Sequence, residues 1–197
     1  GKPPKQVINS IAIFSGYRII RSDFMKLPRQ NVFAVFADVL MEKDTVRLYN
    51  LHLESFRFGP EDYSFYSNLT EPDDDKKPVP ITLGSKRMYW KLRKAFITRA
   101  MQVKVLNEHM QNGRYPIIMA GDFNDSPYSY TYRKLVHNKE DAYKAAGKGL
   151  FGATYSGKFP SFRIDYILFS GSFRAIKYQR SDLTLSDHYP VSATLTR

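Results

Sequence analysis

The chain contains no cysteine, which excludes disulfide bonds and thiolate chemistry. It also lacks the run of roughly 18 apolar residues that a membrane-spanning helix requires. A Gly-x-Ser-x-Gly elbow and a glycine-rich phosphate loop are absent as well, which argues against the serine hydrolases and nucleotide-binding enzymes that carry those motifs. What remains is a globular chain of another chemical class.

Acidic residues are few, with 19 Asp and Glu against 30 Lys and Arg, and the net charge is +11. Such a surplus favours polyanionic partners: nucleic acid, an anionic lipid surface or a phosphorylated sugar. The charge does not choose among them. At 197 residues, of which 43% are hydrophobic, the chain can build one sizeable core, so we predict a single domain.

Two polar motifs adjoin apolar stretches. G-D-F-N at 121–124 ends the dense apolar run at 115–120, and S-D-H-Y-P-V at 186–191 precedes the alternating segment at 191–196. Both apolar segments are typical of strands. Two carboxylates, a carboxamide and an imidazole are therefore predicted at strand ends, where side chains are held rigidly and can reach a cleft.

Two further strands carry polar side chains. Asp165 stands among apolar residues of a predicted strand, and because an unpaired buried carboxylate is costly, it needs a donor such as His188. In the predicted strand at 46–53, the two-residue period places Asn50 and His52 on one face.

Together these segments resemble the endonuclease/exonuclease/phosphatase superfamily. The matching motifs, in order, are S-I-A-I-F-S at 10–15, N-L-H-L at 50–53, G-D-F-N at 121–124, R-I-D-Y at 163–166 and S-D-H-Y-P-V at 186–191. The superfamily includes pancreatic-type deoxyribonuclease, abasic-site endonucleases, inositol-polyphosphate 5-phosphatases and neutral sphingomyelinases. The resemblance extends from about residue 10 to the C-terminus.

The resemblance implies an α/β (α+β) fold, a four-layer α/β/β/α sandwich of two mixed sheets, in one domain over residues 1–197. The superfamily's first strands, which carry an Asn and a metal-binding Glu, have no counterpart in 1–197. We therefore expect an N-terminally truncated domain, and any signal or membrane anchor would lie in the missing part, so localisation stays undetermined. An exposed sheet edge should remain, which favours a dimer through that edge.

The resemblance also implies a site. Its metal ligands would be Asp187, Asp122 and Asn124, binding Mg²⁺ or Mn²⁺. Asp165 would orient and charge His188, which acts as general base or phosphate clamp. Asp122 and Asn124 would position the water and the phosphate, and His52 would donate to a phosphate oxygen. The resemblance leaves open whether Asp122 or His188 takes the proton from the water.

The implied activity is divalent-metal-dependent hydrolysis of a phosphodiester or phosphomonoester, with a polyanionic substrate. The positive charge favours a nuclease. The alternatives are a phosphoinositide or inositol phosphatase, a sphingomyelinase-like hydrolase, and a catalytically inactive binding module, since the family's metal-binding Glu is absent from this chain.

The clearest predicted helix extends from Ser85, a candidate N-cap, to residue 111. Its apolar stripe contains one charge, Arg99, which either snorkels outward or pairs with a buried carboxylate or carbonyl. Residues 54–84 are predicted to be an exposed insertion loop whose aromatic side chains pack together or, as a second interpretation, select substrate. The other predicted elements are a helix at 129–137 and strands near 11–15, 32–41, 46–53, 115–120, 162–170, 173–179 and 191–196.

Overall fold

A computed structural model describes residues 11–70, 81–149, 152–157, 162–183 and 186–197. The described part of the chain contains both strands and helices, with helices inserted between β3 and β6. The elements are β1 (Arg18–Lys26), β2 (Val32–Met41), β3 (Asp44–His52), α1 (Pro60–Thr70), α2 (Ile81–Gln111), β4 (Ile117–Asp122), α3 (Tyr130–Val136), β5 (Lys139–Asp141), α4 (Ala142–Ala146), β6 (Asp165–Ser170), β7 (Arg174–Arg180) and β8 (Val191–Thr196).

The main sheet is six-stranded and mixed, with the order β1-β2-β3-β4-β6-β5. The strands β3 and β4 are parallel, and the other neighbours pair antiparallel. A second sheet contains the antiparallel pair β7 and β8. The predicted mixed α/β fold is therefore present.

Each face of the main sheet has its own core. Tyr49 and Leu51 belong to the core shared with α2 and α3, whereas Val46 and Leu48 belong to the core shared with β7 and β8. Because side chains alternate along a strand, His52 lies on the face that carries the second sheet. Because His52 is the last residue of β3, its side chain lies at the edge of the space between the two sheets.

The predicted strands from residue 32 onward are confirmed within a few residues, and β2 and β8 have the predicted bounds. The strand predicted at 11–15 is wrong, since those residues form no regular element, and the edge strand β1 was missed. Only Met25 of β1 is buried. An edge strand in contact with solvent lacks the apolar alternation that identifies a strand from sequence.

The exposed sheet edge expected from the sequence is present at β1, whose Ile20 and Phe24 side chains are half exposed. Such an edge presents unpaired backbone groups to a second strand. Pairing with another chain at this edge stays a prediction.

The exposed loop predicted over residues 54–84 is wrong where α1 and the start of α2 form helices. Pro60 occupies the first helical position, where its missing N–H is harmless. The Gly59 N–H donates to Asp62 Oδ2 over 2.8 Å, and Asp62 is bound by Arg87 and Lys91 of α2. Residues 71–80, with the acidic run, lie outside the described part of the chain.

The second helix begins at Ile81, four residues before the predicted start, so Ser85 is not its N-cap. The smaller helix α3 begins as predicted, and Ser129 caps it by accepting a hydrogen bond from the Tyr132 N–H. Among the described residues, no helix is both long enough and apolar enough to cross a membrane.

Candidate active site

Three strand ends bring the predicted side chains together. The parallel register of β3 and β4 places His52 beside Asp122, and the antiparallel register of β4 and β6 places Asp122 beside Asp165. The imidazole Nε2 of His52 lies 3.8 Å from Asp122 Oδ2. Backbone pairing alone therefore sets one imidazole and two carboxylates side by side.

The fourth group, His188, arrives from the segment that precedes β8. Its Nδ1 lies 2.9 Å from Asp165 Oδ2, so His188 is the partner of this partly buried carboxylate, as predicted. Its Nε2 points toward Asp122, 4.0 Å from Oδ2. This distance is longer than a hydrogen bond, and a substrate oxygen or a water beside the pair, about 2.8 Å from each atom, would contact both groups.

Asn124 fixes the orientation of Asp122. It adopts a positive φ of 51°, a conformation that Asn tolerates better than most residues. Its backbone N–H donates to Asp122 Oδ1 over 2.7 Å, and its Nδ2 donates to Asp122 Oδ2 and to the Leu53 carbonyl. The G-D-F-N turn thus holds its own carboxylate and ties it to the end of β3.

Asp187 is exposed and lines the same cavity as His52, Asp122, Asn124 and His188. The segment that carries it is held by its carbonyl, which accepts hydrogen bonds from the Ser156 N–H and hydroxyl. Every residue proposed from the sequence therefore lies in or directly behind one cavity. Their individual roles stay predictions.

Charge and burial set the protonation of the site. Burial, together with the charge of Asp165, raises the pKa of Asp122 to about 7. The hydrogen bond with Asp165 raises the pKa of His188 to about 9, against the opposing effect of burial. Burial and the neighbouring His188 lower the pKa of His52. Near neutral pH, His188 is therefore charged, His52 is neutral and Asp122 is close to its titration point.

Ligand atoms of Asp122, Asp165 and His188 lie within 4.8 Å of one another, close enough to surround a cation. Two carboxylates form a donor set that suits a hard cation such as Mg²⁺ or Mn²⁺. The ligand set expected from the resemblance shares Asp122 with this cluster, and Asp187 and Asn124 line the same cavity. The residues present therefore fit a divalent cation.

Sequence reasoning found Arg99 but not its position behind the site. The side chain is completely buried, and of the two alternatives it takes the paired one. Its Nε donates to Asp125 over 3.1 Å and its Nη1 donates to the Glu54 carbonyl over 2.7 Å. The guanidinium also lies 4.6 Å from the ring centre of Phe56. Arg99 thus joins the segments that follow β3 and β4.

Thr154 was missed altogether. It is fully buried, and its hydroxyl accepts hydrogen bonds from the N–H groups of Ile164 and Asp165. Its carbonyl accepts from the Tyr189 N–H over 2.8 Å. Thr154 therefore positions both partners of the Asp165 and His188 pair, and its short loop carries no motif that predicts this.

Comparison with known proteins agrees with this geometry. The sequence profile of the endonuclease/exonuclease/phosphatase family matches residues 11–188. No curated protein sequence matches the chain. Among solved structures, the fold is similar to humanized D. rerio TDP2, with a TM-score of 0.60 and 14% identity over 91% of this chain and 68% of that one.

Two structures from Bacteroides thetaiotaomicron are also similar. One is a mannosyl-6-phosphatase, with a TM-score of 0.56 and 19% identity over 92% of this chain and 67% of that one. The other is an endonuclease/exonuclease/phosphatase family protein, with a TM-score of 0.56 and 19% identity over 91% of this chain. The match spans 65% of the length of that protein. These TM-scores show a shared fold. The profile match over residues 11–188 shows that the chain belongs to the endonuclease/exonuclease/phosphatase family.

Proposed function

We propose that the protein is a divalent-metal-dependent phosphoesterase whose reaction takes place in the cavity between His52, Asp122 and His188. The carrying observation is the gap of 4.0 Å between Asp122 Oδ2 and His188 Nε2. It places a carboxylate and a charged imidazole close enough for one oxygen atom beside the pair to contact both. Hydrolysis of a phosphate ester needs such a pair, one group to take a proton and one to stabilise negative charge.

The protonation states favour one assignment of roles. Asp165 accepts a hydrogen bond from His188 Nδ1 and holds the ring in its charged form, so Nε2 carries a proton and donates to a phosphate oxygen. Asp122, whose Oδ2 lies 4.0 Å from His188 Nε2, takes the proton of the attacking water. His52 is neutral and half exposed, which suits a donor to a second phosphate oxygen.

The cation would be Mg²⁺ or Mn²⁺, held by Asp187 with Asp122 and Asn124. When bound, it would neutralise phosphate charge and favour the attacking nucleophile. The name of the similar mannosyl-6-phosphatase supports phosphate-ester hydrolysis as the reaction class.

A polynucleotide is the substrate class that the net charge of +11 favours. A nuclease with this charge would bind DNA or RNA less tightly as salt concentration rises, because binding releases condensed counterions.

The test is hydrolysis by the full-length protein with Mg²⁺, with Mn²⁺ and with EDTA. The substrates would be plasmid DNA, an abasic oligonucleotide, inositol polyphosphates, sphingomyelin and bis-p-nitrophenyl phosphate. Asp187→Ala should abolish metal-dependent turnover. Asp182→Ala is the matched control, since this exposed carboxylate pairs with Arg180 outside the cavity. Absence of turnover on every substrate, with metal bound, would assign the protein a binding role instead.

A further inference from the structure

The candidate active site occupies only part of its cavity, which has a volume of about 380 Å³. The remainder is lined mainly by apolar side chains from the segment between β3 and α1, the start of α1, the first half of α2 and the segment before β6. These side chains, here called the apolar wall, are Phe56, Phe58, Tyr63, Met88, Leu92, Phe162 and Ile164.

The apolar wall is held open by its own packing. Phe56 stacks on Phe58 with ring centres 5.3 Å apart, and Phe58 meets Tyr63 edge-on at 6.3 Å. Behind them, the buried guanidinium of Arg99 lies 4.6 Å from the Phe56 ring. The rings are therefore fixed from behind and present their other surfaces to the cavity.

We propose that the apolar wall is a subsite for an apolar ester group, alkyl or aryl, carried by the phosphate of the substrate. The inference rests on the proposed phosphoesterase function and, in place of the polynucleotide that the net charge favours, names a substrate whose phosphate carries an apolar ester group. The wall lines the same cavity as the groups that would hold the phosphate. A phosphate bound beside Asp122 and His188 would therefore bring one ester group to it.

The chemistry of the wall selects the occupant. A sugar or inositol group would turn hydroxyls toward Phe56, Leu92 and Ile164, which offer them no hydrogen-bond partner, and such groups lose their bonds to water. Among residues lining the cavity outside the phosphate region, Ser55, Arg57, Tyr155 and the hydroxyl of Tyr63 are the polar groups. An apolar group gains about fourfold in affinity for each methylene that is fully buried.

The size of the cavity limits the occupant. Sites for small ligands commonly measure about 300 to 1,000 Å³, and this one, at about 380 Å³, is near the lower end. Since part of the volume receives the phosphate, the apolar subsite accommodates one aromatic ring or an alkyl chain of roughly four carbons.

The test is calorimetric binding of four phosphonates to the full-length protein in Mg²⁺. Methylphosphonate reports the phosphate region alone, and butylphosphonate and benzylphosphonate add an alkyl or an aryl group. The polar match for butylphosphonate is 3,4-dihydroxybutylphosphonate. We expect butyl or benzyl to bind at least about tenfold more tightly than methyl, and the dihydroxy compound to lose most of that gain.

Two variants locate the effect. Leu92→Ala and Phe162→Ala should each reduce the gain from butyl or benzyl about threefold or more and leave methylphosphonate affinity unchanged. Phe162 is 48% exposed, so its replacement leaves the core intact. Leu83→Ala is the control, because Leu83 lies on the same helix, is 68% exposed and is outside the cavity.

The outcomes separate the two proposals. Equal binding of methyl, butyl and benzyl compounds would overturn the apolar subsite and leave the phosphoesterase standing. No binding of any phosphonate, together with no hydrolysis of any phosphate ester, would overturn the phosphoesterase and the subsite with it. A gain for benzyl alone or butyl alone supports the subsite and distinguishes an aryl from an alkyl substrate.

Discussion

Two clusters of charged side chains adjoin β6, and they differ in how they satisfy their charges. The buried cluster consists of Asp141, Arg163 and Tyr132. Asp141 accepts from the Arg163 guanidinium through both oxygens, at 2.9 and 2.7 Å, and from the Tyr132 hydroxyl at 2.8 Å. The Tyr143 N–H completes its coordination.

The site cluster consists of Asp122, Asp165 and His188. Here two carboxylates are paired across neighbouring strands, and one imidazole serves both at 2.9 and 4.0 Å. The charge of Asp165 contributes to the raised pKa of Asp122. The buried cluster therefore neutralises its one carboxylate. The site cluster instead keeps two neighbouring carboxylates and one imidazole beside a cavity. An arrangement that is unfavourable without a ligand is typical of functional sites.

The largest expected effect is on turnover. His188→Ala should lower kcat/KM of the full-length protein by about 10²- to 10⁴-fold, since it removes the charged donor opposite Asp122. Because His188 also contributes stability below its folded pKa of about 9, turnover is compared at a temperature at which both proteins are folded. His137→Ala, at the exposed end of α3, is the control. Wild-type turnover in His188→Ala would remove this residue from the mechanism.

Breaking the buried cluster should act on stability instead. Arg163→Met leaves the Asp141 carboxylate buried without its counter-charge, and we expect the free energy of unfolding to fall by about 3–5 kcal/mol. Urea denaturation measures this. Lys104→Met, which breaks an exposed pair with Glu108 on α2, should change stability by less than about 1 kcal/mol. Equal effects of the two substitutions would contradict the role assigned to the buried cluster.

A pH titration sharpens the contrast. His188 has a pKa raised from 6.5 to about 9 in the folded protein, so the folded state binds this proton more tightly than the unfolded state. The resulting stability is fully present below pH 6.5 and is lost as the pH rises through about 9. It amounts to at most about 3 kcal/mol, since the ring is partly exposed.

Urea unfolding in EDTA between pH 5 and 10 tests this for wild type and His188→Ala. The difference between the two proteins should shrink across the interval from about pH 6.5 to 9. A difference that is independent of pH would show that His188 has the same proton affinity in the folded and unfolded states.

The sequence predicts those parts of the site that short segments define. His52, Asp122 and Asp165 end or begin strands whose apolar content is visible, so their convergence follows from the pairing of those strands. The link between Asp165 and His188 follows from the cost of burying an unpaired carboxylate. Both expectations depend on a few neighbouring residues, and both agree with the structure.

The features that sequence reasoning missed depend on distant contacts. The strand β1 has one buried residue and is recognisable only beside β2. The helix α1 is held by ion pairs between Asp62 and α2, about 25 residues farther along the chain. The role of Thr154 comes from three backbone groups brought together by folding. No local pattern encodes such contacts, and tertiary packing overrides propensity in each of them.

The smallest expected effect is on stability: replacing an aspartate by asparagine should raise the free energy of unfolding in the site cluster and lower it in the buried cluster. Asp122→Asn removes one of two adjacent carboxylates, so at pH 8 in EDTA it should raise the free energy of unfolding by roughly 1 kcal/mol, although it abolishes turnover. At pH 5 the folded protein already holds Asp122 protonated, because its pKa is about 7, so the gain should be smaller, and it should vanish only below about pH 3.8, where the unfolded chain is protonated as well. Asp141→Asn should destabilise at both pH values, since it weakens the pair with Arg163. If both substitutions destabilise equally at pH 8, then Asp122 is a structural carboxylate like Asp141, and the distinction between the two clusters is lost.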